Sequence, residues 1–90
     1  MKTNETVALP KGRLDSRELG SRIKATRQTR RLSQRGLAEL AGLRPERVSR
    51  LEAGRVKEPR LREMVDVAAA LGTGIQELVF DFGTEGTEPA

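Results

Sequence analysis

The chain contains neither cysteine nor histidine. Without cysteine there is no disulfide framework, and without both residue types there is no conventional structural zinc site. Tryptophan and tyrosine are also absent, and the only aromatic residues are Phe80 and Phe82. So few aromatics argue against base stacking on aromatic platforms, as many single-strand binders use it. No apolar run is long enough for a transmembrane helix or a signal-peptide core. The chain is therefore expected in the cytoplasm, with no membrane contact. No carboxylate pair sits at catalytic spacing outside solvated helix faces, and the glycines form no phosphate loop. An enzyme is excluded on these grounds, and neither a cofactor nor a metal is expected.

What the chain has in excess is arginine, and it is unevenly placed. From Lys11 to Arg62 there are sixteen Lys or Arg residues against six acidic ones, an excess of ten. From Glu63 to Ala90 there are six acidic residues and no basic one. The whole-chain balance of +4 hides this split. A basic front and an acidic back suggest one surface facing a polyanion and another facing elsewhere. The plainer reading, an arginine-rich solvated surface, accounts for the total better than for the split. Ninety residues imply one domain with a small core. That core must be held by helix packing, helped by dimerisation.

Residues 1–14 have mixed polarity, with Pro10 and Gly12 and no period, and read as a flexible N-terminal arm. Asp15-Ser16-Arg17-Glu18 is a capping-box pattern. A first helix is predicted from Ser16 to about Arg30, with Leu19, Ile23, Thr26 and Arg27 on one stripe. Ser33 caps a second helix that reaches about Ala41. After Ala53-Gly54 comes a basic loop ending at Pro59. A fourth helix is predicted from about Arg60 to Leu71, its apolar face formed by Leu61, Met64, Val65, Ala68 and Leu71. Gly72-Thr73-Gly74 breaks it, with Thr73 a candidate cap. A short fifth helix, Ile75 to about Val79, turns Ile75 and Leu78 inward. Residues 79–82 are open between helix, strand and coil. Residues 83–90 read as a disordered acidic tail, which leaves 15–82 as the folded domain.

The most informative stretch is Ser33 to Gly54. Leu37, Ala38 and Ala41 share one face of the second helix. Gly42 can take the positive φ that a tight corner needs. A third helix then opens at Arg44-Pro45, with proline in the first turn, and turns Val48 and Leu51 inward. The small Ala38 lets the two helices cross closely. This is the layout of a helix-turn-helix, whose second helix enters the major groove of double-stranded DNA.

Leu19-Gly20, Ile23, Arg27, Leu32-Ser33-Gln34, Leu37-Ala38, Ala41-Gly42, Val48-Ser49, Leu51-Glu52, Gly54, Pro59, Leu61, Ala68, Leu71-Gly72 and Leu78 stand in register with a known pattern. Over Leu19 to Leu78 the chain resembles the phage-repressor-like helix-turn-helix family, which includes Cro and the repressors of lambdoid phages. The resemblance implies an all-α fold, a compact five-helix bundle of the lambda-repressor-like type with a central helix-turn-helix. It implies that Gln34 bonds a phosphate at the start of the second helix, beside Ser33 and Arg35. It pairs Arg27 with Glu52, with Arg27 also able to face the DNA backbone. Arg55, Lys57 and Arg60 would grip phosphates, or form only a solvated loop.

On the third helix, base readout is expected from Arg44, Pro45, Glu46, Ser49 and Arg50. Arg44 and Arg50 can each fork onto guanine, and Pro45 offers only apolar contact, for instance to a thymine methyl. Glu46 can accept from cytosine, or merely favour the helix N-terminus. Arg47 is expected on a phosphate or a dimer partner. Gly36 departs from the family pattern, either to admit the DNA backbone or as tolerated drift.

The leading functional expectation is a sequence-specific transcriptional regulator, a repressor of its own gene, bound to a palindromic operator as a homodimer. It would be associated with the nucleoid when on DNA. The dimer surface is expected at Ile75, Leu78, Val79 and Phe80, whose apolar side chains would otherwise lie exposed. A second reading is an antitoxin that masks a toxin protein with a terminal extension, residues 1–14 or 79–90. A third is a controller protein of a restriction-modification system. A general nucleoid or RNA-binding role fits the charge but not the ordered helical pattern.

Overall fold

The structure is a computed structural model and describes residues 15–79. The expected arm, the tail, Phe80 and the boundary at 82/83 lie outside the described residues. Five helices follow in order: α1 Ser16–Thr29, α2 Gln34–Ala41, α3 Pro45–Glu52, α4 Leu61–Leu71 and α5 Ile75–Val79. The expected all-α bundle is observed, with helix ends within a residue of those predicted.

Local chemistry sets those ends. The Asp15 carboxylate accepts from the Glu18 N–H at 2.9 Å, and the Ser33 hydroxyl accepts from the Gly36 N–H at 2.8 Å. Each occupies an orphan donor of a first turn. Arg44 makes no side-chain cap bond, and Pro45 occupies the first turn of α3 instead. The C-termini of α1 to α4 close alike, with a left-handed residue followed by an amide that reaches back five residues. Leu43 donates to the Ala38 carbonyl, Arg55 to Arg50 and Thr73 to Ala68, after Gly42, Gly54 and Gly72. At the end of α1 the left-handed residue is Arg31 (φ 61°), an exposed arginine in a conformation that costs a side chain about 1 kcal/mol.

The core is Leu19 and Ile23 of α1, Leu37, Ala38 and Ala41 of α2, and Val48 and Leu51 of α3. Val56, Met64, Val67, Ala68, Leu71, Leu78 and Val79 complete it. Three expectations are corrected here. Val67, not Val65, belongs to the buried face of α4, and Leu61 and Val65 are 40% and 41% exposed. α4 packs on α2 and α5, which turn the stripe of Met64, Val67, Ala68 and Leu71 inward and leave Leu61 and Val65 beside it. Thr73 does not cap α5 with its oxygen; its hydroxyl donates to Glu77 at 2.6 Å. Glu77 in turn accepts from the Gly74 N–H at 3.4 Å, and both bonds hold its carboxyl below the usual carboxylate range.

The third correction concerns the expected dimer face. Leu78 and Val79 are each 1% exposed, inside the chain's own core, and Ile75 is half-buried against it. The premise that these residues would lie exposed fails for Leu78 and Val79. Val79 is also the last residue of α5, so the helical alternative holds at that position.

Candidate nucleic-acid interface

α3 is amphipathic in an unusually legible way. Val48 and Leu51 are buried against α1 and α2, while Arg44, Pro45, Glu46, Ser49 and Arg50 are exposed. At 3.6 residues per turn, Pro45, Ser49, Glu46 and Arg50 form one contiguous outward strip along the helix. Among the described residues, the side chains of Arg44, Glu46, Ser49 and Arg50 make no hydrogen bond or ion pair. Two arginines, a carboxylate and a hydroxyl thus face outward with their bonding capacity unspent, the donor and acceptor set that reads base edges.

A buried polar knot fixes this helix. Arg27 Nε donates to Glu52 Oε2 at 2.6 Å and Nη2 to Oε1 at 3.0 Å, while Nη1 donates to the Leu32 carbonyl at 2.8 Å. Gln34 Nε2 also donates to Glu52 Oε1, at 3.0 Å. The Arg27 and Glu52 side chains are only 10% and 3% exposed. The knot therefore joins α1, the α1–α2 link, the start of α2 and the end of α3. The hydrogen bond to Glu52 raises the Arg27 guanidinium above its ordinary value; burial opposes this, and the Glu52 charge adds to it. The expected pairing of Arg27 with Glu52 is present. Two expectations attached to it are corrected: Arg27 is buried with its donors engaged, and the Gln34 amide is turned to Glu52 rather than outward.

Arg47 is likewise placed differently from the expectation. Its Nε and Nη2 donate to Glu63 Oε2 and Oε1 at 2.6 and 2.8 Å, which ties α3 to α4. The sequence gives a faint signal for this, since Arg47 flanks the buried stripe of α3 and Glu63 flanks that of α4. Burial by itself would raise the Glu63 carboxyl. The hydrogen bonds from Arg47 and the Arg60 N–H, with the charges of both arginines, outweigh it, so Glu63 lies below its ordinary value. The folded state then binds that proton more weakly than the unfolded chain does. The stabilisation is complete above the ordinary glutamate range and is lost as pH falls through the depressed value. Glu63→Gln is expected to lower stability at neutral pH and to flatten this part of the acid transition. Parallel stability-versus-pH curves for variant and parent would show that Glu63 contributes nothing.

The loop after α3 is more than a solvated connection. Val56 and Pro59 are buried, whereas Arg55, Lys57 and Arg60 are exposed. The Ser16 hydroxyl donates to the Val56 carbonyl at 3.2 Å, and the Arg55 N–H to the Arg50 carbonyl at 2.9 Å. Two apolar anchors and two hydrogen bonds thus hold a loop whose intervening residues are cationic. Ser33 and Arg35 are exposed at the start of α2. Gly36 sits in its first turn with only Ser33 Oγ (3.2 Å) and Leu32 Cδ2 (3.6 Å) near a built Cβ. Gly20 on α1, by contrast, presses directly on the backbone of α3: a Cβ there would lie 2.4 Å from the Leu51 carbonyl oxygen. Its role as a contact point was not legible from its neighbours in sequence.

A family model described as helix-turn-helix matches residues 23–78. The chain belongs to the phage-repressor-like helix-turn-helix family. Among solved members of this family, the clp gene regulator ClgR from Corynebacterium glutamicum is 31% identical, with a TM-score of 0.67. The match covers 72% of this chain and 68% of that one. The restriction-modification controller protein C.AhdI from Aeromonas hydrophila is 32% identical with a TM-score of 0.66, over 69% of this chain and 92% of its own. The biofilm master regulator SinR, solved in complex with DNA, is 30% identical with a TM-score of 0.64, over 67% and 95%. None of the curated sequences compared with the chain matches it. Among the described residues, no helix is long and apolar enough to cross a membrane and no carboxylate cluster could hold a metal ion.

Proposed function

We propose that this protein is a sequence-specific DNA-binding transcriptional regulator, not an enzyme, that binds a palindromic operator as a homodimer and represses by occupancy, its own gene included. The observation that carries this reading is the outward strip of α3, with Arg44, Glu46, Ser49 and Arg50 unengaged on a helix locked from behind by Arg27 and Glu52. Arg50 and Arg44 fork onto guanine, Pro45 packs on a thymine methyl, and Glu46 accepts from cytosine. Arg35, Arg55, Lys57 and Arg60, with the Ser33 hydroxyl, hold phosphates on either side. Arg27, Gln34 and Arg47 act instead as supports of that surface. An eight-residue helix is about 12 Å long and reaches only a few base pairs. Two copies one helical turn apart supply the missing affinity and specificity.

The test is binding to duplex DNA from upstream of the gene, by fluorescence anisotropy at about 150 mM salt against scrambled duplex. A preference of about 10³ or more is expected. Arg50→Ala should cost about 1–3 kcal/mol at one base pair and relax the preference there. Equal weakening on every sequence would remove Arg50 from base readout. Four cations on phosphates per subunit give a dimer slope of log K against log salt near about −7. A slope near zero would sink the phosphate assignments together.

A controller role in a restriction-modification system is the second reading, favoured by the 32% identity that spans 92% of C.AhdI. Both readings predict specific binding upstream of the gene; activation of a downstream reporter would single out the controller. For the antitoxin reading, only Val79 of the expected toxin-binding segments is described, and it lies in the core.

A further inference from the structure

α4 has eight apolar residues among its eleven; Met64, Val67, Ala68 and Leu71 are buried in the core and Ala70 packs against it. Leu61 and Val65 are 40% and 41% exposed, and Ala69 is exposed as well. These three recur every fourth residue, so they line one outward stripe along the whole helix. Beside them lie Arg62 and Asp66, opposite charges one turn apart. Neither side chain has an ion pair or hydrogen bond within the described residues. α5, by contrast, has spent Leu78 and Val79 on the chain's own core.

We infer that this stripe is where a second copy of the chain docks, with the two α4 helices antiparallel about a two-fold axis at Val65. The inference rests on the homodimer reading above. The stripe is complementary to itself only in that arrangement. Antiparallel packing sets Leu61 against the small Ala69 of the partner subunit, and Val65 against its own copy. It also brings each Arg62 to the partner's Asp66, twice over by symmetry. A parallel two-fold pairing would leave the Arg62–Asp66 flanks of the two subunits on opposite sides of the seam, so neither charge would meet its complement. Two large apolar side chains per subunit make a small contact, so the free dimer is weak and DNA completes its assembly.

The full chain is tested by sedimentation equilibrium as the parent, Arg62→Glu, Asp66→Arg and the double reversal. Each single reversal sets like charges face to face at both symmetric pairs, so the dissociation constant should rise about tenfold or more. The double reversal should restore it. Because the chain has no cysteine, Val65→Cys gives one thiol per subunit. It should oxidise to a linked dimer faster than Gln28→Cys, exposed on α1. A parent dimer that ignores the reversals and cross-links no faster through Val65→Cys overturns this face and leaves the dimer reading intact. A parent that is monomeric in solution, and fills operator half-sites without cooperativity, overturns both.

Discussion

Gly20→Ala is expected to lower the melting temperature by roughly 10–20 °C, out of proportion to a single methyl group. The added Cβ would lie 2.4 Å from the Leu51 oxygen, 2.5 Å from the Glu52 oxygen and 2.8 Å from the Glu52 carbonyl carbon. All three are backbone atoms, so no side chain can rotate out of the way. α1 and α3 must separate, and the helix that separates is the one with the outward strip. Overpacking at such a crossing costs about 3 kcal/mol or more, against about 1 kcal/mol gained in helix propensity. Gly36→Ala is the matched control. Its Cβ meets only the Ser33 hydroxyl at 3.2 Å and a Leu32 methyl at 3.6 Å. The propensity gain and the push on the Ser33 cap nearly offset each other there, a change of a few degrees at most. Thermal unfolding followed by circular dichroism separates the two. A Gly20→Ala protein that melts with the parent would mean that the α1–α3 crossing is looser than described.

Glu52→Ala is expected to cost about 3–5 kcal/mol, more than loss of an exposed ion pair would. The reason is the charge left behind. Arg27, with its side chain 10% exposed, would keep a guanidinium in the core facing no carboxylate, and the Gln34 amide would lose its acceptor. Taking out both charges is a different experiment. Arg27→Leu with Glu52→Leu removes the buried charge altogether, so the double variant should be more stable than either single change. Urea unfolding of the four proteins gives the coupling directly. Additive losses would show that the knot is not a unit. Operator affinity supplies a second readout: if the knot orients α3, the double variant should recover stability while still binding DNA more weakly than the parent.

Much of this molecule is legible in its sequence, because the determinants are local. Helix starts at Ser16, Gln34 and Pro45 follow from one cap residue or one proline, and helix ends follow from Gly42, Gly54 and Gly72. The apolar period of α2 and α3 dictates which residues turn inward, and hence that Arg44, Glu46, Ser49 and Arg50 turn outward. The Arg27–Glu52 pair came from family resemblance, not from spacing, since the two lie 25 positions apart. What was illegible has a common cause. α4 is apolar around most of its circumference, so periodicity cannot choose between Val65 and Val67; only the position of α2 and α5 does. α5 is too short to carry a period, and only its docking on α1 and α4 shows that Leu78 and Val79 are spent on the core.

Composition and pattern by themselves therefore determined an all-helical domain without disulfide or zinc, a helix-turn-helix at 33–54 and the identity of its outward residues. Each depends on groups within a turn or two of one another. Tertiary structure alone decided which cations are available. Arg27 and Arg47 are as basic as Arg50 in sequence, but packing sets a carboxylate from another helix against each of the first two. Among the described residues it set none against Arg50, because that side of α3 faces no other described helix. A charge is free or spent according to what the fold brings to it, and that depends on how α1, α3 and α4 cross.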